Sequence, residues 1–143
     1  MAAFNKINNA VNLWVTTGLS FSTGTWKAAL VSSANAPSGT TSSYGGMTSL
    51  ATSNGYTAGG AAITMTTSNI TGTETVGWSA GSPTWTGTSA NSSAGFTFQY
   101  IVFWETTTSN NFCWFDNGAG LTISPGDTLT LSSTAAGVLF TLA

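Results

Sequence analysis

Few side chains in this sequence can carry chemistry. The 143 residues hold four carboxylates (Glu74, Glu105, Asp116, Asp127), two lysines (Lys6, Lys27), one thiol (Cys113) and no histidine. Without an imidazole, Ser/His/Asp and Cys/His nucleophile arrangements are excluded, and the usual Cys/His zinc sites cannot be built within one chain. The stretch "GYTAGG" at 55–60 lacks the lysine and spacing of a phosphate-cradling loop. The dinucleotide fingerprint needs a following helix, where strand-like "AAITMTT" stands instead. The stretch reads as tight turns at Asn54, Gly55, Gly59 and Gly60.

Glu105 and Asp116 lie at opposite ends of one hairpin region, and a carboxylate pair flanking a sugar would suit glycoside hydrolysis. Nothing in the sequence singles out that pair, and solvated rim charges are the plainer account. Asp116, Asn117 and Asp127 offer oxygen ligands, but their spacing matches no compact calcium loop. Asx side chains that satisfy turn backbone groups explain them better. The expectation is therefore no catalytic residues, no metal and no cofactor.

Charge narrows the partners. A formal charge of -2, with two lysines, leaves no basic patch for nucleic acid or for an anionic membrane surface. The longest apolar run, "YIVFW" at 100–104, is far too short to span a bilayer, and asparagines interrupt the N-terminus where a secretory signal would be apolar. Cys113, between Phe112 and Trp114, reads as a buried free thiol, and a single cysteine forms no intrachain disulfide. "NIT" at 69–71 and "NSS" at 91–93 spell glycosylation acceptors, which matter only in a secretory compartment.

These residues need a scaffold. About a third of the chain is Ser and Thr, and 41% is hydrophobic; short Thr-, Val-, Ile- and aromatic-rich runs alternate with Gly, Asn and Ser, a strand-and-turn pattern. Phe4, Ile7, Val11 and Trp14 recur at spacings of three and four, which predicts a helix over residues 3–15. Strands are predicted at 25–33, 61–67, 96–105 and 112–117. "TETVGWSAG" and "SPTWTGTS" are read as one strand bent at Pro83, and "LTIS", "TLTLS" and "VLFTLA" as short strands. Pro125 and Gly126 mark a turn between the first two of these. The sum is one domain over residues 1–143: an antiparallel β-sandwich, a jelly-roll-like fold or a partly closed barrel, with a short N-terminal helix.

In 96–105, Phe96, Phe98, Tyr100, Val102 and Trp104 alternate onto one apolar face, which reads as core wall. The opposite face turns from polar Thr97 and Gln99 to apolar Ile101 and Phe103. Those two residues are candidate interface positions, needing cover from the N-terminal helix or a neighbouring subunit. Trp78 and Trp85 lie in Gly/Ser/Thr-rich sequence. Trp78 follows Val76 at period two, as a core residue would, whereas Trp85 is the candidate for exposure, as a sugar-stacking ring or an intersubunit anchor. The first of these would make the domain a carbohydrate-binding module.

Taken together, "SNGYTAGGAAIT" at 53–64, "FTFQYIVFWETTTSNNFCWFDNG" at 96–118 and "LTISPGDTLTLSS" at 121–133 resemble a family of small virion proteins of tailed bacteriophages. The opening "FNKINNAVNLWV" and "TWKAALVSS" also look like that family's start. This chain departs in being poorer in charge, both in its N-terminal segment and in the loop at 34–43. The resemblance implies a β-rich structural protein of the virion that is not an enzyme: a capsid decoration or stabilising protein, or else a tail or neck protein. Its implied partners are other virion proteins, the major capsid protein among them, and further copies of itself. The resemblance brings no catalytic or metal-binding residues.

Overall fold

Alternating β-branched and aromatic residues build strands throughout the computed structural model, which describes residues 3–17, 20–21, 23–70, 73–80, 82–89, 95–132 and 138–142. In chain order the elements are β1 (Ala3–Lys6), α1 (Ala10–Thr17), β2 (Trp26–Val31), β3 (Ala61–Ile70), β4 (Thr73–Ala80), β5 (Thr84–Thr86), β6 (Phe96–Glu105), β7 (Asn110–Ile123), β8 (Thr128–Thr130) and β9 (Val138–Leu142). Seven strands form one sheet in the order β1-β7-β6-β2-β3-β4-β9, and β5 pairs β8 in a second. Every pairing is antiparallel. The fold is mostly β, with two antiparallel sheets. The large sheet is an open array whose outermost strands, β1 and β9, are the first and last of the chain. Neither the expected barrel closure nor a jelly-roll strand order is seen in it.

The N-terminal segment corrects the predicted helix over 3–15. Residues 3–6 pair with Cys113 to Asp116 of β7 as a strand. Beyond them, the Ile7 N–H donates to the Phe112 carbonyl and the Asn8 N–H to the Gly39 carbonyl. Those donors are taken by tertiary partners, so helical turns begin only at Ala10. Asparagine's weak helix propensity favours that outcome. A second correction concerns 73–86: β4 joins the large sheet while β5 pairs with β8, so the predicted bent strand is two strands in two sheets. "LTIS" is likewise the tail of β7 rather than a separate strand.

Residues paired across antiparallel strands share a face. Trp26, Ala28 and Leu30 of β2 therefore lie on the same side as Ile101 and Phe103 of β6, and onward as Phe115 and Cys113 of β7. This side is the core. Ile7, Ala10 and Phe21 cover it at one end, with Phe21 stacked on Trp26 at 5.3 Å and edge-on to Phe112 at 5.0 Å. Tyr56 and the ribbon β5–β8 cover another part, through Trp85 and Leu129. Each ribbon strand alternates exposed threonines with one inward apolar residue.

One turn and one close approach position Tyr56 and the start of β3. Ser53 and Tyr56 exchange two backbone hydrogen bonds around Asn54 (φ 51°) and Gly55 (φ 94°), a two-residue turn with both central residues at positive φ. A Cβ on Gly60 would sit 1.8 Å from the Ala28 carbonyl oxygen, so only glycine fits against β2 there. Beyond that point β3 no longer pairs with β2, and the freed backbone of Leu30 finds other partners. Its N–H donates to the Tyr56 hydroxyl at 3.0 Å, and its carbonyl accepts from the Leu50 N–H at 3.0 Å.

Candidate functional site

Glu105 ends β6 and Asn110 opens β7, so the intervening residues 106–109 form the hairpin turn. Ser109 completes that turn at φ 57°. The buried Glu105 side chain turns back over it: one carboxylate oxygen accepts the Thr107 N–H at 3.0 Å, and the other accepts the Thr108 N–H and hydroxyl, both at 2.8 Å. Burial works to raise its pKa, but the hydrogen bonds from Thr107 and Thr108 prevail and hold the carboxyl below the usual carboxylate range.

Asp116 serves a different backbone break. Its Oδ1 accepts the Gly118 N–H at 2.7 Å and the Gln99 side-chain amide at 3.1 Å, and that amide also reaches the Tyr100 hydroxyl at 3.1 Å. Asp116 pairs with Tyr100 and Glu105 with Asn110, five residues along β6, or about 17 Å at the usual strand rise. That exceeds the carboxylate separations of glycoside hydrolysis, so the structure does not bring the two together.

Two further titratable groups, Cys113 and Tyr56, lie in the core. Burial pushes the Cys113 thiol well above its ordinary pKa and raises that of the Tyr56 phenol too. Lys27 lies beside Trp104 in the strand pairing, and Trp104 stacks on Tyr44 at 3.9 Å while its indole N–H donates to the Gly59 carbonyl. Among the described residues, no group of three His, Cys, Asp or Glu side chains converges as a metal site would require.

The candidate interface residues lie inside the chain. Phe103 is fully buried, Trp85 is 5% exposed, and Ile101 is half-buried against the core. The cause is a register break. Phe98 pairs with Leu121 and Tyr100 with Asp116, so four residues of β7, 117–120, stand opposite Gln99 alone. Across this break, core positions pass from Phe96 and Phe98 to Ile101 and Phe103, as a bulge allows by shifting the alternation one residue. The expected single face of Phe96, Phe98, Tyr100, Val102 and Trp104 is split. Trp85 lies against Tyr56, with ring centroids 6.4 Å apart, and offers no open ring to a sugar. The Trp78 side chain and the residues at 71–72 and 91–93, within the two glycosylation spellings, lie outside the described residues.

Turn positions are occupied as follows. Gly59, Gly60 and Gly126 all take positive φ. The Asp127 N–H closes the turn through Pro125 and Gly126 onto the Ser124 carbonyl.

Sequence reasoning missed the surfaces left open. Val15 on α1 is 76% exposed and Leu121 of β7 is 39% exposed. Beside Leu121 runs the exposed excursion 117–120. A signal for it was present: "NGAG" is poor strand sequence in the middle of an apolar alternation.

No protein-family model, no curated protein and no solved structure matches this chain.

Proposed function

We propose that this chain is a non-enzymatic structural subunit of a tailed-phage virion, acting as a capsid decoration or stabilising protein. The observation that carries the assembly reading is the large sheet itself, open along both outer strands among the described residues. Unpaired strand edges present rows of N–H and C=O groups that another chain can satisfy. β9, "VLFTL", carries none of the charges or prolines that commonly blunt such an edge, whereas β1 ends in Lys6. The ribbon β5–β8 laid over the core side of the sheet fits a sandwich-like body suited to a lattice of copies.

The resemblance to small phage virion proteins supplies the particle. Supporting the non-enzymatic part, Glu105, Asp116 and the Tyr56 hydroxyl each bond to backbone of their own fold, and Cys113 is sealed in the core. Partners are other virion proteins, with the major capsid protein first, and further copies of this chain; nucleic acid and membrane are not among them. No described helix is long and apolar enough to cross a membrane.

Cryo-electron microscopy of the intact particle tests the reading. Density of this shape repeated over the capsid lattice supports decoration. Density confined to the tail axis moves the assignment to a tail or neck protein, and absence from the particle overturns it.

A further inference from the structure

The chain contains two Asn-Gly pairs, Asn54-Gly55 and Asn117-Gly118, and the fold treats them oppositely. Asn-Gly is the sequence in which a backbone nitrogen most easily reaches the preceding side-chain amide carbon, because glycine puts no side chain in the way.

Asn54 and Gly55 are locked. Ser53 and Tyr56 clamp the turn from both sides, the Asn54 carbonyl accepts the Thr88 N–H at 2.8 Å, and the Asn54 amide donates to the Gly95 carbonyl at 3.2 Å. A Cβ on Gly55 would lie 1.9 Å from the Thr86 carbonyl oxygen, so the backbone has no room to reorient.

Asn117 and Gly118 are open. Asn117 is exposed, its side-chain amide donates only within the excursion, to the Ala119 carbonyl at 3.1 Å, and nothing lies within 4 Å of a Cβ position on Gly118. The Gly118 N–H, the group that must lose its proton for the nitrogen to attack, already points at a carboxylate oxygen of Asp116 at 2.7 Å. A base at that distance is within direct proton-transfer reach.

We propose that Asn117 is a self-modification site, at which Asp116 acts as the base for conversion of the asparagine to aspartate and isoaspartate. The Gly118 nitrogen bonds to the Asn117 side-chain carbonyl carbon as its proton passes to Asp116. The bond from that carbon to Nδ2 breaks, and Nδ2 leaves as ammonia with the proton returned from Asp116. The product is a five-membered succinimide. Water then adds to either succinimide carbonyl, and opening of the ring leaves an aspartate or an isoaspartate at position 117. No oxidant or reductant takes part. The new carboxylate joins a chain of formal charge -2, next to Asp116 and to exposed Leu121. The isoaspartate product also adds a backbone carbon to β7. The site is thus a slow charge switch on one surface of the sheet, and it holds whether or not the chain belongs to a virion.

The test is site-resolved mass spectrometry of the folded protein during warm incubation at neutral pH, scoring amide-to-acid conversion and distinguishing isoaspartate by electron-transfer fragmentation. Asn117 should convert at least about a hundredfold faster than Asn54, the lower end of what a positioned base supplies. In denaturant, where both pairs are free, the two rates should converge. Asp116→Ala and Asp116→Asn should each slow Asn117 in the folded protein without accelerating Asn54, and circular dichroism would verify that they fold. Equal rates at the two sites in the folded protein, or an Asn117 that keeps its amide, would overturn the proposal. Unchanged Asn117 rates in a folded Asp116 variant would overturn the role of Asp116.

Discussion

The hairpin β6–β7 has two halves that meet at Gln99, and their packing differs. Toward the turn, Val102, Phe103, Trp104, Glu105, Asn111, Phe112 and Cys113 are all buried, so both faces of the ladder are covered. Away from the turn, buried Phe96 and Phe98 alternate with exposed Thr97, while on β7 Leu121 and Thr122 are exposed and only Ile123 is buried. A carboxylate guards the break in each half: Glu105 clamps the turn from a buried position, and half-buried Asp116 clamps the excursion after β7 leaves register. The comparison shows that strand alternation is a dependable guide only where one face meets solvent. With both faces covered, every residue is apolar or hydrogen-bonded, and the sequence no longer marks which side is which.

The strongest way to break the turn half is Phe103→Ala. It removes a fully buried ring that meets Phe115 edge-on at 5.6 Å, and chemical denaturation should show a loss of about 3–5 kcal/mol. If Phe103 were instead a surface contact, the loss would be far smaller and would appear in assembly rather than stability.

Glu105→Gln comes next. The amide retains one acceptor but cannot serve both threonines with full charge, and the expected cost is about 1–2 kcal/mol. The pH dependence follows from the direction of the shift. The folded-state pKa lies below the unfolded one, so the stabilisation is complete above the ordinary carboxylate range and is lost as pH falls through that range toward the folded value. Urea midpoints measured from neutral to acid pH should fall for the native chain and fall less steeply for Glu105→Gln. Parallel curves would remove Glu105 from the acid limb.

Tyr56→Phe probes the cover of the same sheet beyond β3. It strands the Leu30 N–H, now bonded to the Tyr56 hydroxyl, and should cost about 1 kcal/mol or somewhat more. Protection of the Leu30 amide in hydrogen exchange should drop with it.

In the distal half, Asp116→Asn should lower stability by only about 0.5–1 kcal/mol, since its partners Gly118 and Gln99 are exposed and half-buried. Leu121→Ser should change it by no more than about 0.5 kcal/mol. A large effect from Leu121→Ser would mean that this half is covered after all, by a second copy or another partner.

Much of the scaffold was legible in the sequence. The span of β6 was read as Phe96–Glu105, because alternating aromatics bounded by Gly95 and a Thr-rich turn leave little else for the segment to do. The strand predicted at 25–33 contains β2, and its period of two puts Trp26, Ala28 and Leu30 on one side, which forms core in the fold. The failures have a common origin in long-range partners. Residues 3–6 carry a helical spacing but meet the free edge of β7. Trp85 looks isolated among Gly and Thr because its neighbours, Tyr56 and the β8 residue Leu129, come from distant sequence.

What the sequence determined by itself was chemistry by composition and structure by local rule. The lack of histidine, the scarcity of charge, and turns such as Asn54-Gly55 and Pro125-Gly126 rest on residue identity or on steric preferences within a few bonds. Tertiary structure decided which face each apolar residue took beyond Gln99, which carboxylate was buried, and which of two identical Asn-Gly pairs was locked. Those outcomes depend on register and on close approach of segments far apart in the chain, as where the Thr86 carbonyl closes over Gly55 while the space around Gly118 stays open. Periodicity carries no record of residues inserted in the partner strand, so one break in register was enough to bring Ile101 and Phe103 to the core.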